Sequence, residues 1–199
     1  MKFDFDHTWL TSDCHLGHAK ICEYCSRPYK SVADMDEDLV VQWNKVVSPN
    51  DTVYHLGDFT LSTISVAKKY FAQLNGTIHI LNNFWHHDKR WIGRYIDCVT
   101  KNGSAVYLAD AITVLEIDEL GKDGYPLAVH LSHYPTAQWD RKHHGAWHCH
   151  GHSHNTYKAE GYILDVGVDS AAELLSAYRP FSLQEVTEIM KQKGWQNGT

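Results

Sequence analysis

Asp13 and His15, Gly57-Asp58, the run Asn82-Asn83-Phe84-Trp85-His86-His87-Asp88, His133, and His152 with His154 are the residues of this chain whose types suit chemistry. Each group stands at or just past the end of a strand-like run. Side chains two apart in extended backbone point the same way. Asp13 with His15, and His152 with His154, are therefore each expected to face one site, while Cys14 and Ser153 turn away. Mixed carboxylate, amide and imidazole donors suit Zn, Mn, Fe, Co or Ni better than Ca or Mg. Fifteen histidines in 199 residues, six of them between His143 and His154, point the same way more coarsely: to metal or acid–base chemistry. Gly57 and Gly151 stand beside ligand candidates, where a missing Cβ permits close backbone approach.

The elements that must position these groups are short. Strand-like runs are expected at His7–Ser12, Thr52–Leu56, Thr77–Leu81, Ala105–Leu108, Ile112–Ile117, Leu127–Leu131, Ala146–His150 and Tyr162–Val168. Asp34-Met35-Asp36-Glu37 has the form of a helix start, followed by Leu39, Val40, Trp43, Val46 and Val47 at helical spacing and stopped by Pro49. Ile64, Ala67, Phe71 and Leu74 repeat that pattern ahead of Gly76. Ser182-Leu183-Gln184-Glu185 opens another helix with Val186, Ile189 and Met190 on its face. Gly121–Gly124 reads as a hairpin turn. Strand and helix alternate in the first third and strands dominate later, which predicts layered α/β with at least one mixed sheet.

The length fits a single domain spanning residues 1–199, and no repeat or linker divides it. A net charge of −6 argues against an extended nucleic-acid surface but leaves room for a local phosphate site. No apolar run is long enough to span a bilayer, and the acidic start lacks the apolar stretch of a secretory signal. Five cysteines, an odd number, are expected as free thiols in a reducing, cytoplasmic setting.

Asp-x-His, then Gly-Asp, then an Asn/His/Asp block, then a lone His, then Gly-His-x-His resembles the ordered signature of the calcineurin-like metallophosphoesterases. The resemblance runs from about Thr8 to Asp169. Ser12-Asp13-Cys14-His15-Leu16-Gly17-His18, Arg27-Pro28-Tyr29, Trp43-Asn44, Tyr54 to Phe59 and Leu74-Asn75-Gly76 are similar to its small bacterial and phage branch. It implies a four-layer α/β/β/α sandwich of two mixed sheets flanked by helices. It also implies two divalent transition-metal ions, one on Asp13, His15, Asp58 and His154, the other on Asp58, an asparagine, His133 and His152. The implied reaction is hydrolysis of a small phosphate ester, diester or monoester, by a metal-bridging hydroxide. Two dications about 3.5–4 Å apart need such a shared carboxylate. With it and the hydroxide, the site keeps a formal charge of about +1, which attracts phosphate.

The third block departs from the family's Gly-Asn-His-Asp form. Asn83 is taken as the ligand, with Asn82 as competitor. His87, oriented by Asp88, is taken as the catalytic histidine, with His86 as competitor. His18 and Arg27 are expected to reach the phosphate from the rim. A nuclease or cyclic-nucleotide diesterase, a one-metal hydrolase and a disabled metal-binding module are the alternatives on the same residues. Cys22-x-x-Cys25 lacks a second pair for a structural zinc. His148 and His150 read as core residues behind the ligands, and His143 and His144 as a solvated loop that could border the entrance. Trp9, Trp43, Trp91 and Trp147 read as core, and Trp85 and Trp139 as residues able to shape a pocket.

Overall fold

The computed structural model describes residues 4–83, 85–93, 96–122 and 125–196. β1 (Thr8–Thr11), β2 (Thr52–His55), β3 (Thr77–Asn82) and β4 (Tyr107–Asp110) pair in parallel. A two-residue strand, β9 (Phe181–Ser182), adds antiparallel to β1, giving the order β4-β3-β2-β1-β9. The second sheet has the order β5-β6-β7-β8. There β5 (Ile112–Lys122) runs antiparallel to β6 (Tyr125–Ser132), while β7 (Trp147–His150) and β8 (Ile163–Asp165) continue in parallel. Both sheets are therefore mixed, as expected. The predicted hairpin turn is bracketed by the Lys122–Tyr125 pairing, and its centre lies outside the described residues.

Among the described residues five α-helices accompany the sheets: α1 (Ile21–Tyr24), α2 (Val32–Val46), α3 (Ile64–Phe71), α4 (Val168–Leu175) and α5 (Leu183–Gln192). α2 starts two residues before the expected acidic opening because Ser31 is the cap: its Oγ accepts the Asp34 N–H at 3.1 Å. Met35, Leu39 and Trp43, four apart, form its buried seam. α5 carries the expected reciprocal cap, Ser182 Oγ to Glu185 N–H and Glu185 Oε2 to Ser182 N–H. The run expected as one strand from Tyr162 to Val168 splits instead. β8 ends at Asp165 and α4 begins at Val168, because the Asp165 carboxylate accepts the Gly167 N–H at 2.7 Å and turns the chain.

Alternation along the strands divides the interior into two cores. Val53, Ile78 and Ile80 face α2 and α3, with Met35, Trp43, Ala67 and Phe71. Leu10, Leu56 and Leu81 face the other sheet, meeting Val129, Leu131, Trp147 and Cys149, with α5 closing that layer through Val186 and Met190. The result is an α/β sandwich. Expected helices flank the first sheet. On the outer face of the second, the cover found is loop: Trp139 stacks on His148 at 5.2 Å, and Tyr157 meets His150 edge-on at 5.9 Å. His148 and His150 are buried there, as expected. So are Trp43, Trp91 and Trp147, whereas Trp9 is half-buried with its indole N–H on Asp51. The cysteines are free, and no described helix is long and apolar enough to cross a membrane.

Candidate metal centre

The loops after β1 and β2 stay zipped beyond their strands. Asp13 N–H donates to Gly57 O at 3.0 Å, His15 N–H to Asp58 O at 2.9 Å and Leu16 N–H to Phe59 O at 2.9 Å. Phe59 is fully buried and stacks on Phe71 at 4.2 Å. Burying such a ring is worth about 1.5–3 kcal/mol, so the side chain next to Asp58 is an anchor for the loop that presents it. The second sheet is tied in by His152 N–H to Asp13 Oδ2 at 2.9 Å and Val168 N–H to Ser12 O at 3.1 Å, while Gly151 N–H to His133 O at 3.0 Å joins its own two ligand loops. Gly151 has to be glycine: a Cβ there would run into Ser12 Oγ and Asp13 Oδ2.

Asp13, His15, Asp58, His152 and His154 all have left-handed backbone, with φ of 58, 51, 57, 67 and 45°. Non-glycine residues rarely adopt it, and each instance costs on the order of 1–3 kcal/mol. The expectation that Asp13 and His15 align by strand alternation is thus corrected. They do face one point, but β1 ends at Thr11, and tight turns rather than extended chain aim them. Cys14 does turn inward, buried with its Sγ 3.3 Å from His55 Nε2.

Of the four donor clusters among the described residues, two hold the expected ligands. Donor atoms of Asp13, His15 and His154 lie within 4.8 Å of one another, as do those of Asp58, His133 and His152. Asp58 joins them: its Oδ2 is 3.5 Å from His15 Nε2 and 3.6 Å from His133 Nε2, while its Oδ1 accepts the His87 N–H at 2.7 Å. Asp13 Oδ1, His15 Nε2 and His133 Nε2 are buried without a hydrogen-bond partner among the described residues. Lone pairs of this kind, left unpaired, cost about 1–3 kcal/mol each. Cations in the two clusters, one beside Asp13 and His15 and one beside His133, would satisfy all three, so the donor set fits divalent metal.

The electrostatics agree for His15 and His133, while Asp13 and His154 are shifted toward protonated forms that a cation would have to displace. Burial, then repulsion from Asp165, pushes the Asp13 carboxyl well above its ordinary range. Burial, then neighbouring His154, holds His15 well below its ordinary value, and burial with His86 nearby takes His133 down to about 2. Both rings are held neutral, the state that binds metal. Burial disfavours a charged His154, yet the hydrogen bond to Asp169 and the charge of Asp13 raise it. Its Nδ1 donates to Asp169 Oδ2 at 2.7 Å, which leaves Nε2 to face Asp13 and His15.

Asp169 is the residue that sequence reasoning missed, and Arg27 is the one it misplaced. Arg27 is no rim cation: it is 4% exposed and its guanidinium is fully engaged. Nε and Nη2 grip both Asp169 oxygens at 2.8 Å, Nη2 also donates to Asp13 O at 2.7 Å, and Nη1 donates to Cys14 O at 3.0 Å. It pins the backbone of the first ligand loop and the carboxylate behind His154. The only sequence signal for Asp169 was its place at the end of the resembling segment.

The third block sorts its residues by depth. His86 is buried: its Nδ1 accepts the Asp88 N–H at 3.2 Å, which leaves its Nε2–H to donate to Leu81 O at 3.0 Å. Asp88 is buried too and accepts Phe59 N–H and Thr60 N–H at 3.0 Å, so its carboxylate secures the Asp58 loop; the contacts it makes are with these groups and His86, not with the His87 ring. Of its two histidines His87 opens outward, 56% exposed with Nε2 3.9 Å from Asp58 Oδ2. Asn83 Oδ1 accepts Trp85 N–H at 2.9 Å. Asn82 lies two residues beyond Ile80, on the face of β3 turned to the helices, and its Nδ2 donates to Gly93 O at 3.2 Å. Phe84 is outside the described residues. His18 is half-buried, its ring 5.8 Å from that of His15. His143 and His144 do not border this centre. They line a cavity of about 850 Å³ beside Tyr125, Ala146 and Trp195, at the opposite end of β6 and β7.

No family model matches the chain. The chain is similar to the uncharacterized protein MJ1445 of Methanocaldococcus jannaschii, 34% identical over 139 residues covering 67% of this chain and 77% of that protein. It is also similar to the gene 66 protein of Mycobacterium phage L5, 27% identical over 217 residues covering 94% of this chain and 98% of that one. A crystal structure of a protein of unknown function, AQ665 from Aquifex aeolicus, matches 92% of this chain and 98% of its own with a TM-score of 0.60. At 21% identity that likeness shows a shared fold alone.

Proposed function

The chain belongs to the same family as the archaeal protein MJ1445, and for the centre it carries we propose hydrolysis of phosphate esters at a pair of divalent metal ions, on a metallo-dependent phosphatase-like sandwich. The observation that carries this reading is the position of Asp58 Oδ2, 3.5 Å from a nitrogen of one cluster and 3.6 Å from a nitrogen of the other. One ion would be held by Asp13, His15, Asp58 and His154, the second by Asp58, His133, His152 and Asn83. Asn83 is chosen over Asn82 because Asn82 lies on the face of β3 turned to the helices, with its Nδ2 on Gly93 O. An amide oxygen has two lone pairs, so Asn83 Oδ1 can keep the Trp85 N–H and still bind an ion. When bound, the ions supply Lewis acidity toward phosphoryl oxygens and lower the pKa of water.

The chain's own groups do the rest. Asp13 and Asp58 each use one carboxylate oxygen on a backbone N–H and keep the other free, which fixes the carboxylate plane before any ligand arrives. Asp169 keeps the proton of His154 on Nδ1, so Nε2 is the donor atom. His87 Nε2, at the open face, holds a proton for the departing oxygen. His18, beside His15, borders the phosphate. His86 and Asp88 position the block from beneath.

The test is Asp58→Asn, which keeps size and folding but removes the shared anionic oxygen. Metal content measured by plasma spectrometry is expected to fall from two ions per chain toward none. Manganese-dependent hydrolysis of bis(4-nitrophenyl) phosphate is expected to fall to background with it. Full turnover of this variant in the presence of chelator would overturn the reading.

A further inference from the structure

The insertion between Asn83 and His87 leaves an indole in solvent on a loop that borders the centre. Trp85 is 80% exposed, although its backbone is held at both polar groups: its N–H donates to Asn83 Oδ1 at 2.9 Å and its carbonyl accepts the Tyr134 O–H at 2.9 Å. Tyr134 in turn lies over the second cluster, its ring 4.3 Å from that of His152 and 4.8 Å from that of His133. An exposed tryptophan is ordinary when its loop hangs free. Here the loop is turned by Asn83 and fixed to Tyr134 over the second cluster, and the large apolar side chain is the part kept out of the core.

We infer that Trp85 is a stacking platform for a flat ring carried by the phosphate ester, so that the substrate class is nucleotide-like: a phosphate with a nucleobase, or a comparable aromatic group, within reach of the phosphorus. The inference rests on the phosphoesterase reading above and adds the substrate class to it. A fixed aromatic face selects flat groups without reading their edges, and such stacking changes affinity by roughly ten- to a hundredfold per base. The net charge of −6 disfavours a long polyphosphate chain as the source of that base, which leaves ligands of mononucleotide size.

The experiment compares adenosine 5′-monophosphate with ribose 5-phosphate, which share sugar and phosphate and differ in the base. Binding of each to the manganese-loaded full chain is measured by calorimetry, alongside bound manganese. The nucleotide is expected to bind about tenfold tighter. Trp85→Ala should bring that ratio close to 1, and Trp85→Phe should keep most of it; an exposed side chain is replaced in both, so folding is not at issue. Equal binding of the two compounds by the unsubstituted chain, with manganese held, would overturn the platform and leave the two-metal reading standing. A preference lost in Tyr24→Ala and kept in Trp85→Ala would overturn it too: Tyr24 is 69% exposed, with its ring 6.3 Å from that of His18. Failure to hold manganese would remove the parent reading as well.

Discussion

The two flanks of the centre are built differently. Behind His154, the groups are paired around a buried guanidinium: Arg27 spans Asp169 and the carbonyls of Asp13 and Cys14, and Asp169 holds His154. Around His87, only the base of the loop is buried, through His86 and Asp88, while His87 and Trp85 face solvent. The first flank has no room for a substrate and every reason to be rigid. The second has side chains that a substrate can reach and a backbone that is nonetheless held. On the proposed reading, a site that fixes ions and still admits an ester needs one of each, and the division runs between the Arg27–Asp169 side and the 82–88 block.

The strongest way to break that comparison is Arg27→Met. Removing one partner of a buried ion pair leaves Asp169 and two carbonyls unsatisfied, which costs about 3–5 kcal/mol of stability. Urea denaturation should show that loss, and a variant as stable as the parent would mean that the buried flank is not the scaffold described. Next in size is His87→Ala on the open flank. Metal content should stay the same while turnover of esters with poor leaving groups falls about 10²-fold or more, with a smaller loss on 4-nitrophenyl esters. Equal losses on both ester types would remove His87 from leaving-group protonation. The smallest effect sharpens the contrast: Asp169→Asn keeps the shape but weakens the orientation of His154. Manganese titration should show about 10- to 100-fold weaker binding, whereas His87→Ala should leave the same titration curve in place.

Much of this was legible in order along the chain. Asp13, His15, Asp58, His133, His152 and His154 could be picked out because carboxylate and imidazole at strand ends, next to Gly57 and Gly151, have few other reasons to recur, and the structure brings all six together. The strands and α2, α3 and α5 followed from apolar spacing and caps, which are local properties. β9 and α1 were missed because elements of two and four residues carry too little pattern to detect.

Residue type and spacing by themselves determined the donor set and the layered α/β class, since both follow from short-range chemistry. Only the tertiary structure decided which side chains are free to act. Arg27 reads as a surface cation until residue 169, 142 positions away, closes on it. His86 and His87 are identical neighbours in sequence, and only the packing under Gly57 buries one and leaves the other at the opening. The left-handed turns that aim Asp13, His15, Asp58, His152 and His154 belong to the same category. Such strain is held in place by contacts between distant segments, and no local pattern records it.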